Sequence, residues 1–319
     1  MFRLWILALL IAATLLGYGD IEDAFAEVQE ALVSSFTAQG YPLAPMEEGK
    51  FNVKVVPAYW TFSGKSSAIN TDLKDKLSGG GFAFSGTYAL SAHWGITGLA
   101  TYFTGSGTGP MNPHLPNAGR FIPGTTQTWG GPRCGGCPQP PPTPDTSQNI
   151  TGAGGSLGIT YDPFSDPEGF RLPMYLGVGF YNIQTDQLAG NFLAQYALVE
   201  PTLNPSQVAN LPTRQRVRDS LQFITMNAGI APQFNTGPFR WTPFAMVTVG
   251  PVSHSTENQQ TNLTTGQTTT ANSSRTNTAG IYTGGLGIQY RPWNLGFTYV
   301  PGFISRGASL YSLTWSKTF

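Results

Sequence analysis

Charge is scarce in this 319-residue chain, because Asp, Glu, Lys and Arg make up only 11% of it. Typical soluble domains contain about 25% charged residues. The few charges cancel to a formal net charge of +0, which excludes the basic surface that a nucleic-acid partner requires. The hydrophobic fraction of 40%, without a long apolar run after the N-terminal leader, is too low for a helical membrane protein.

Residues that carry acid–base chemistry are also few. The histidines are His93, His114 and His254. His254 lies between Ser253 and Ser255, which leaves a Ser/His hydrolase as one alternative, but Glu257 is the only nearby carboxylate that would orient such a base. We therefore expect no catalytic residue, no metal site and no cofactor.

The two cysteines, Cys134 and Cys137, lie in the segment R-C-G-G-C-P. In an exported protein this spacing predicts a short-loop disulfide. Haem attachment would require a histidine where Pro138 stands, and two thiolates alone do not complete a metal site.

The C-terminal segment carries the clearest structural pattern. Large apolar residues alternate with Ser and Thr there, so the two sets face opposite sides of a strand. The apolar set is Tyr311, Leu313, Trp315 and Phe319. A soluble sandwich strand can show the same alternation but less often ends on an exposed Phe.

In these residues the chain resembles bacterial outer-membrane β-barrel proteins, whose last strand ends in an aromatic residue. Lys317 departs from that pattern, although near the membrane interface it can extend its ammonium group into water. The resemblance implies contact with outer-membrane lipid, recognition of the last strand by the barrel assembly machinery, a monomer and location in the outer membrane.

The N-terminus predicts a signal peptide over residues 1–26. Arg3 precedes the apolar run Leu4 to Leu16, and Ala24-Phe25-Ala26 forms the cleavage site. The run is shorter than the roughly 20 residues of a spanning helix, although an uncleaved anchor is the alternative. Residues 27–50 then form a periplasmic N-terminal segment, in which Glu27 to Gln39 is either an amphipathic helix that plugs or covers the barrel mouth or a disordered tether.

From residue 51 to 319 the sequence predicts a closed antiparallel transmembrane β-barrel of about ten strands, with eight or twelve as the alternative counts. Short periplasmic turns alternate with long outer loops at about 106–149, 186–218 and 253–280. The loop from His254 to Ala279 has no aromatic residue, which predicts a mobile, exposed segment. A soluble β-sandwich is the rival fold, but its solvent faces would need more charge.

A ten-stranded outer-membrane protease is the most specific enzymatic alternative. Such proteases cluster acidic residues with a histidine at the outer rim, whereas here the acidic residues of the outer loops are scattered. They are Asp72, Asp75, Asp145, Asp186 and Glu257.

The barrel interior is the predicted functional region. The inward positions predicted to line the lumen are Lys54, Thr87, Thr160, Arg240, Thr242, Gln289 and Thr298. The basic members favour narrow, weakly anion-preferring passage of small solutes; a packed lumen, in which these side chains satisfy one another, is the alternative. Surface binding, adhesion or an envelope-structural role without an open pore is the competing function.

Overall fold

The computed structural model describes residues 24–40, 46–65, 74–109, 146–164, 169–189, 213–262, 265–302 and 308–319. One helix precedes a series of strands that account for most of the described residues. Among these residues, no helix combines the length and the apolar character that crossing a membrane requires. The elements are α1 (Ala24–Thr37), a 3-10 turn (Ala38–Gly40), β1 (Phe51–Lys65), β2 (Lys74–Ala89), β3 (Trp94–Gly109), β4 (Thr146–Tyr161), β5 (Met174–Ala189), β6 (Thr213–Ile230), β7 (Phe234–Thr236), β8 (Phe239–Asn262), β9 (Thr268–Tyr290), a second 3-10 turn (Arg291–Trp293), β10 (Leu295–Val300) and β11 (Ala308–Thr318).

The strands form a closed antiparallel ring. Apart from β6 and β7, each strand pairs with its neighbours in sequence; β6 pairs with β8, and β1 pairs with β11, which closes the sheet. The short β7 is not a separate member of the ring, because it continues the line of β6 against β8 in the same register. The ring therefore has ten strands, which confirms the predicted fold and count.

The seam of the barrel joins the two ends of the strand-forming chain. The backbone amide of Phe51 donates to the carbonyl of Phe319 at 3.2 Å, and the amide of Phe319 donates to the carbonyl of Phe51 at 2.9 Å. From there β1 and β11 stay paired up to Phe62 and Ala308. The C-terminal strand therefore closes the barrel, as its alternating pattern predicted.

The outer face carries a continuous apolar belt. On the closing strand Tyr311, Leu313, Trp315 and Phe319 are 39–63% exposed, and the ammonium of Lys317 lies 5.1 Å from the centre of the Phe319 ring. From Tyr311 to Phe319 the belt covers nine residues, within the range of about 9–11 residues that a tilted strand needs to cross a membrane. Other exposed belt residues are Phe51, Tyr59, Phe82, Tyr88, Tyr102, Leu157, Val178, Phe180, Ile224, Met226, Tyr282, Leu286, Leu295 and Phe297.

One predicted loop consists mostly of strands. The segment from His254 to Ala279 forms most of a long hairpin, in which β8 and β9 pair continuously as far as Thr261 and Thr268, and residues 268–278 are exposed, as predicted. Beyond the membrane both faces of a strand are free to be polar, so the alternation that marks a spanning strand is missing there. From Tyr282 to Thr268 the hairpin extends about 46 Å along the strand.

The ends of the other long outer loops are also strands. β3 continues to Gly109 and β4 begins at Thr146, within the predicted loop at 106–149. β5 continues to Ala189 and β6 begins at Thr213, within the predicted loop at 186–218. The barrel wall therefore rises beyond the belt on several strands.

A buried ion pair fixes the periplasmic connection between β4 and β5. The guanidinium Nε of Arg171 donates to the Asp162 carboxylate at 2.8 Å, and its Nη1 donates to Gln233 at 3.0 Å. The backbone amides of Leu172 and Phe164 donate to the other Asp162 oxygen at 3.1 and 3.2 Å. Arg171 and Asp162 are only 2% and 1% exposed, so this pair ties the connection to the end of β6.

We expect Asp162→Ala to lower the free energy of unfolding by about 3–5 kcal/mol, because it leaves the buried Arg171 charge without its partner. Urea unfolding of the barrel in lipid vesicles, followed by tryptophan fluorescence, measures the change. Adding Arg171→Leu to Asp162→Ala removes the unpaired charge and should recover much of the loss. An Asp162→Ala protein as stable as the unmodified chain would show that the pair does not hold this connection.

Candidate functional site in the barrel lumen

The barrel interior is filled by the N-terminal helix. Every residue from Gln29 to Gln39 is at most 7% exposed, and Gly40 is buried as well. The predicted helix over Glu27 to Gln39 is therefore present and lies inside the lumen, rather than in the periplasm or as a tether. Of the predicted alternatives for this segment, the structure shows a helix that plugs the barrel.

Apolar packing holds the helix at its centre. The ring of Phe36 stacks on that of Phe103 from β3, with 5.1 Å between the ring centroids and 13° between the planes. Leu32 lies one turn earlier on the same side of α1 and is fully buried. Neighbouring positions of the helix hold Ala and Ser, whose small side chains let a helix fit within so narrow a ring.

Hydroxyl groups connect the helix to the wall. The Ser34 hydroxyl hydrogen-bonds Thr283 on β9 and donates to Thr248 on β8 at 3.4 Å. The Thr37 hydroxyl and the phenol of Tyr181 on β5 are 2.5 Å apart. These bonds come from three different strands, so they fix the rotation of the helix within the lumen. A fourth bond, 3.4 Å from the Ser312 hydroxyl to Gln39 Oε1, reaches β11.

The helix points its N-terminal end toward the outer surface. Its C-terminal end lies closer to the periplasmic side, where Gly40 packs against Leu99 of β3. Met46 then packs against Gly95, at the periplasmic start of the same strand, and β1 begins at Phe51. Since the short turns mark the periplasmic side, the chain descends from α1 to that side before it enters the ring.

The seven residues predicted to line the lumen are all buried on the inward face of their strands. Their exposed fractions are Lys54 2%, Thr87 4%, Thr160 0%, Arg240 5%, Thr242 1%, Gln289 3% and Thr298 3%. Most lie in the periplasmic half of the barrel, below the helix. The structure therefore brings the predicted basic and hydroxyl groups together under the plug.

Hydrogen bonds between side chains join this polar lining. The hydroxyls of Thr87 and Thr97 lie 2.9 Å apart, and those of Thr97 and Thr160 lie 2.8 Å apart, which gives a row across three strands. The guanidinium Nε of Arg240 donates to Asn235 at 3.2 Å. The Gln289 amide donates to Ser316 at 3.2 Å. These hydrogen bonds satisfy part of the lining, whereas the Thr242 hydroxyl and Gln289 Oε1 are buried without a hydrogen-bond partner among the described residues.

Sequence reasoning missed the apolar outer half of the lumen. Inward positions there carry large side chains that pack with α1 into one hydrophobic core. The predicted lumen-lining residues were polar, and none of these large apolar residues was among them. The main members are Trp60, Phe103, Ile150, Tyr181, Ile183, Leu221, Phe223, Val252, Ile281 and Leu310.

The remaining candidate residues are not brought into one site. Cys134, Cys137 and His114 lie outside the described residues. His254 lies on β8 with Glu257 three positions along, so the two side chains face opposite sides of the strand. Glu257 instead lies 3.6 Å from Arg218.

His93 and Asp186 have structural partners. His93 Nδ1 lies 2.8 Å from the carbonyl oxygen of Asp162, which connects two periplasmic turns. The Asp186 carboxylate accepts from Arg216 Nε at 2.8 Å in a pair at the outer rim. Both members of that pair are more than a third exposed, so the pair contributes little to stability.

Solved structures give distant similarities. The translocator domain of the autotransporter NalP from Neisseria meningitidis is 11% identical, with 92% of this chain and 95% of that chain covered and a TM-score of 0.41. The P. putida toluene transporter TodX is 10% identical, with coverage of 86% and 73% and a TM-score of 0.39. The outer membrane protein OprG from Pseudomonas aeruginosa is 10% identical, with coverage of 86% and 97% and a TM-score of 0.33.

No protein-family model and no curated protein matches the chain. At the identities and TM-scores above, the solved structures carry no argument about activity. The closed ring and its lipid-facing belt are the architecture of integral outer-membrane β-barrel proteins, and this chain is such a barrel in contact with membrane lipid.

The contact between α1 and β2 gives a test of the plug. A Cβ on the inward Gly81 would lie 2.7 Å from Phe36 and 2.6 Å from the carbonyl oxygen of Tyr102, so Gly81→Ala should destabilise the barrel by about 1–3 kcal/mol through overpacking. The matched control is Gly80→Ala, whose Cβ meets nothing closer than 3.6 Å. Urea unfolding of both variants measures the difference; equal stability would contradict the packed position of Phe36.

Proposed function

We propose that this outer-membrane barrel is a narrow passage for small solutes that its own N-terminal helix closes at rest. The burial of Gln29 to Gln39 inside the ring is the observation that carries this proposal. An open porin would hold water where this helix lies. Passage then requires that α1 leaves the lumen or shifts within it.

The lining under the helix supports passage rather than a purely structural core. A barrel interior built only for stability has no need of charged groups, because burying them is costly. Here Lys54 and Arg240 are both inward and buried in the periplasmic half. Two basic side chains along one path favour anions over cations.

The helix is held in a way that allows displacement. Four of its hydrogen bonds to the wall join neutral hydroxyl and amide groups, with Thr248, Thr283, Tyr181 and Ser312 as the partners. Neutral hydrogen bonds contribute about 0.5–1.5 kcal/mol each, so each of these four bonds breaks at a small cost in free energy. The apolar packing of Phe36 supplies the rest.

We expect the unmodified mature chain to be almost silent in a planar lipid bilayer, and Phe36→Glu to give discrete current steps. A carboxylate at this buried position is unfavourable in the apolar core, so it should expel the helix. Single-channel recording measures the steps, and Lys54→Glu in the same background should shift the selectivity toward cations.

The matched control is Phe36→Leu, which keeps an apolar side chain and should stay silent. Heat-modifiable migration on a gel confirms that each variant is folded. Large, stable steps from the unmodified chain would overturn the closed state. If the Phe36→Glu variant is folded but gives no current steps, the proposed passage is wrong. A surface or envelope-structural role then remains.

Surface binding is the second candidate, and the tall β8–β9 hairpin favours it. Residues 268–278 are exposed on both faces, at a distance from the belt where they meet the cell exterior. Because His254 and Glu257 face opposite sides of β8, we propose a binding surface and not an enzyme. We also propose that the C-terminal strand is what the barrel assembly machinery recognises and that the barrel is a monomer.

Replacing residues 256–273 by Asn-Gly joins Ser255 to Ser274, which are directly paired, through a two-residue turn. If the hairpin binds, cells that display the shortened barrel should adhere less to polystyrene than cells with the full barrel, at equal surface amounts. Conductance should not change, because the ring and α1 are intact. Equal adhesion would remove the support for a binding hairpin.

A further inference from the structure

Among the described residues, the barrel wall is interrupted beside β10. This strand has only six residues, and its ladder with β9 ends at the pair Tyr299 and Leu286. β9 continues outward for another eighteen residues to Thr268. Among the described residues, the part of β9 beyond Leu286 is paired on the β8 side only.

The interruption lies within the lipid-facing belt. Tyr299 stacks on Tyr311, an exposed belt residue of the closing strand, with 5.0 Å between ring centroids. Further out on β9, Tyr282 is still apolar, outward and 45% exposed. The wall therefore changes at a depth where hydrocarbon chains, rather than water, surround the barrel.

A cavity of about 610 Å³ occupies this place. The cavity is lined by residues that face lipid and by residues that face the lumen. Both sets reach one cavity because the wall is interrupted there. Ala245, Tyr282 and Leu286 face lipid, whereas Phe244 and Met246 belong to the inner hydrophobic core and are only 6% and 4% exposed. A molecule in the cavity therefore meets side chains that a continuous wall would hide.

The lining selects an apolar occupant. The volume is in the range of about 300–1,000 Å³ that is usual for ligand sites. Among the described residues that line the cavity none is charged, and the side-chain hydroxyls are those of Thr283, Tyr282 and Tyr299. The Thr283 hydroxyl already bonds Ser34 of the helix. A lining without a cation does not favour a phosphate headgroup, whereas its aliphatic and aromatic side chains suit a hydrocarbon chain.

We propose that this cavity binds an acyl chain of a membrane lipid, which enters between β9 and β10 and contacts Phe244 and Met246. The surrounding bilayer supplies this occupant at high concentration, and burying its methylene groups against apolar side chains is favourable. The proposal rests on the wall and the belt and holds whether or not the barrel conducts.

The experiment uses the full mature barrel in phosphatidylcholine vesicles that contain a trace of lipid with a diazirine on one acyl chain. After irradiation, mass spectrometry of peptides locates the labelled residues. We expect label on the outward belt residues of every strand, and among inward residues only on those that line the cavity, chiefly Phe244 and Met246. The inward Val56 and Ser85, on the far side of the ring, should stay unlabelled.

Gly284→Leu fills the cavity from its lining and should abolish label on Phe244 and Met246 while leaving the belt label unchanged. The matched control, Gly98→Leu, adds the same side chain at an outward position of β3 where the nearest atom is 3.9 Å from the new Cβ, and should change nothing. Ala245→Phe is a second filling variant in case Gly284→Leu does not give the heat-modifiable folded form.

Two results would overturn the proposal. The first is the absence of label on Phe244 and Met246 in the unmodified barrel. The second is label on these residues that persists in both filling variants. The lipid probe can also leave Phe244 and Met246 unlabelled while a free alkane with a diazirine labels them. In that case the cavity binds free hydrocarbons and not the acyl chain of a membrane lipid.

Discussion

The requirement that every backbone amide and carbonyl within the bilayer be paired decides this architecture. An unpaired backbone group in hydrocarbon costs several kcal/mol, so a sheet can cross a membrane only if its edges meet. The two reciprocal hydrogen bonds between Phe51 and Phe319 make that junction at the ends of the barrel. Once the ring is closed, alternate residues of every strand are committed to lipid or to the lumen.

Closure also decides what the lumen has to contain. Ten strands enclose a space too narrow for an open channel of porin size and too wide for the wall side chains alone to fill. The outer half of this space is filled by large inward side chains together with α1, as the stacking of Phe36 on Phe103 shows. Small residues such as Ala31, Ser34 and Ser35 let the helix lie close to the wall. In the periplasmic half, hydroxyl groups and two basic side chains face one another instead.

The sequence predicted those parts of the fold that the bilayer constrains. Tyr311, Leu313 and Trp315 alternate because one side of β11 faces lipid, and that pattern was readable without a structure. Above the belt water replaces lipid, so the residues from His254 to Ala279 have no reason to alternate and their strands were not found. The helix was predicted, with a plug as one alternative, but its depth in the lumen was not. Its depth depends on contacts such as Ser34 with Thr283, between residues 249 positions apart in the chain, which no local pattern contains.

The shortness of β10 connects the wall to the lumen. Because the ladder stops at Tyr299, β9 has no second neighbour inside the belt among the described residues. Irregular backbone at this depth is tolerated where it lines a cavity or is buried in protein. Thr283 lies in that stretch, lines the cavity and hydrogen-bonds the helix through Ser34. The cavity in the wall and the plug in the lumen therefore share one side chain. A displacement of this part of β9 therefore alters the hydrogen bond between Thr283 and Ser34, and through that bond it acts on the position of α1.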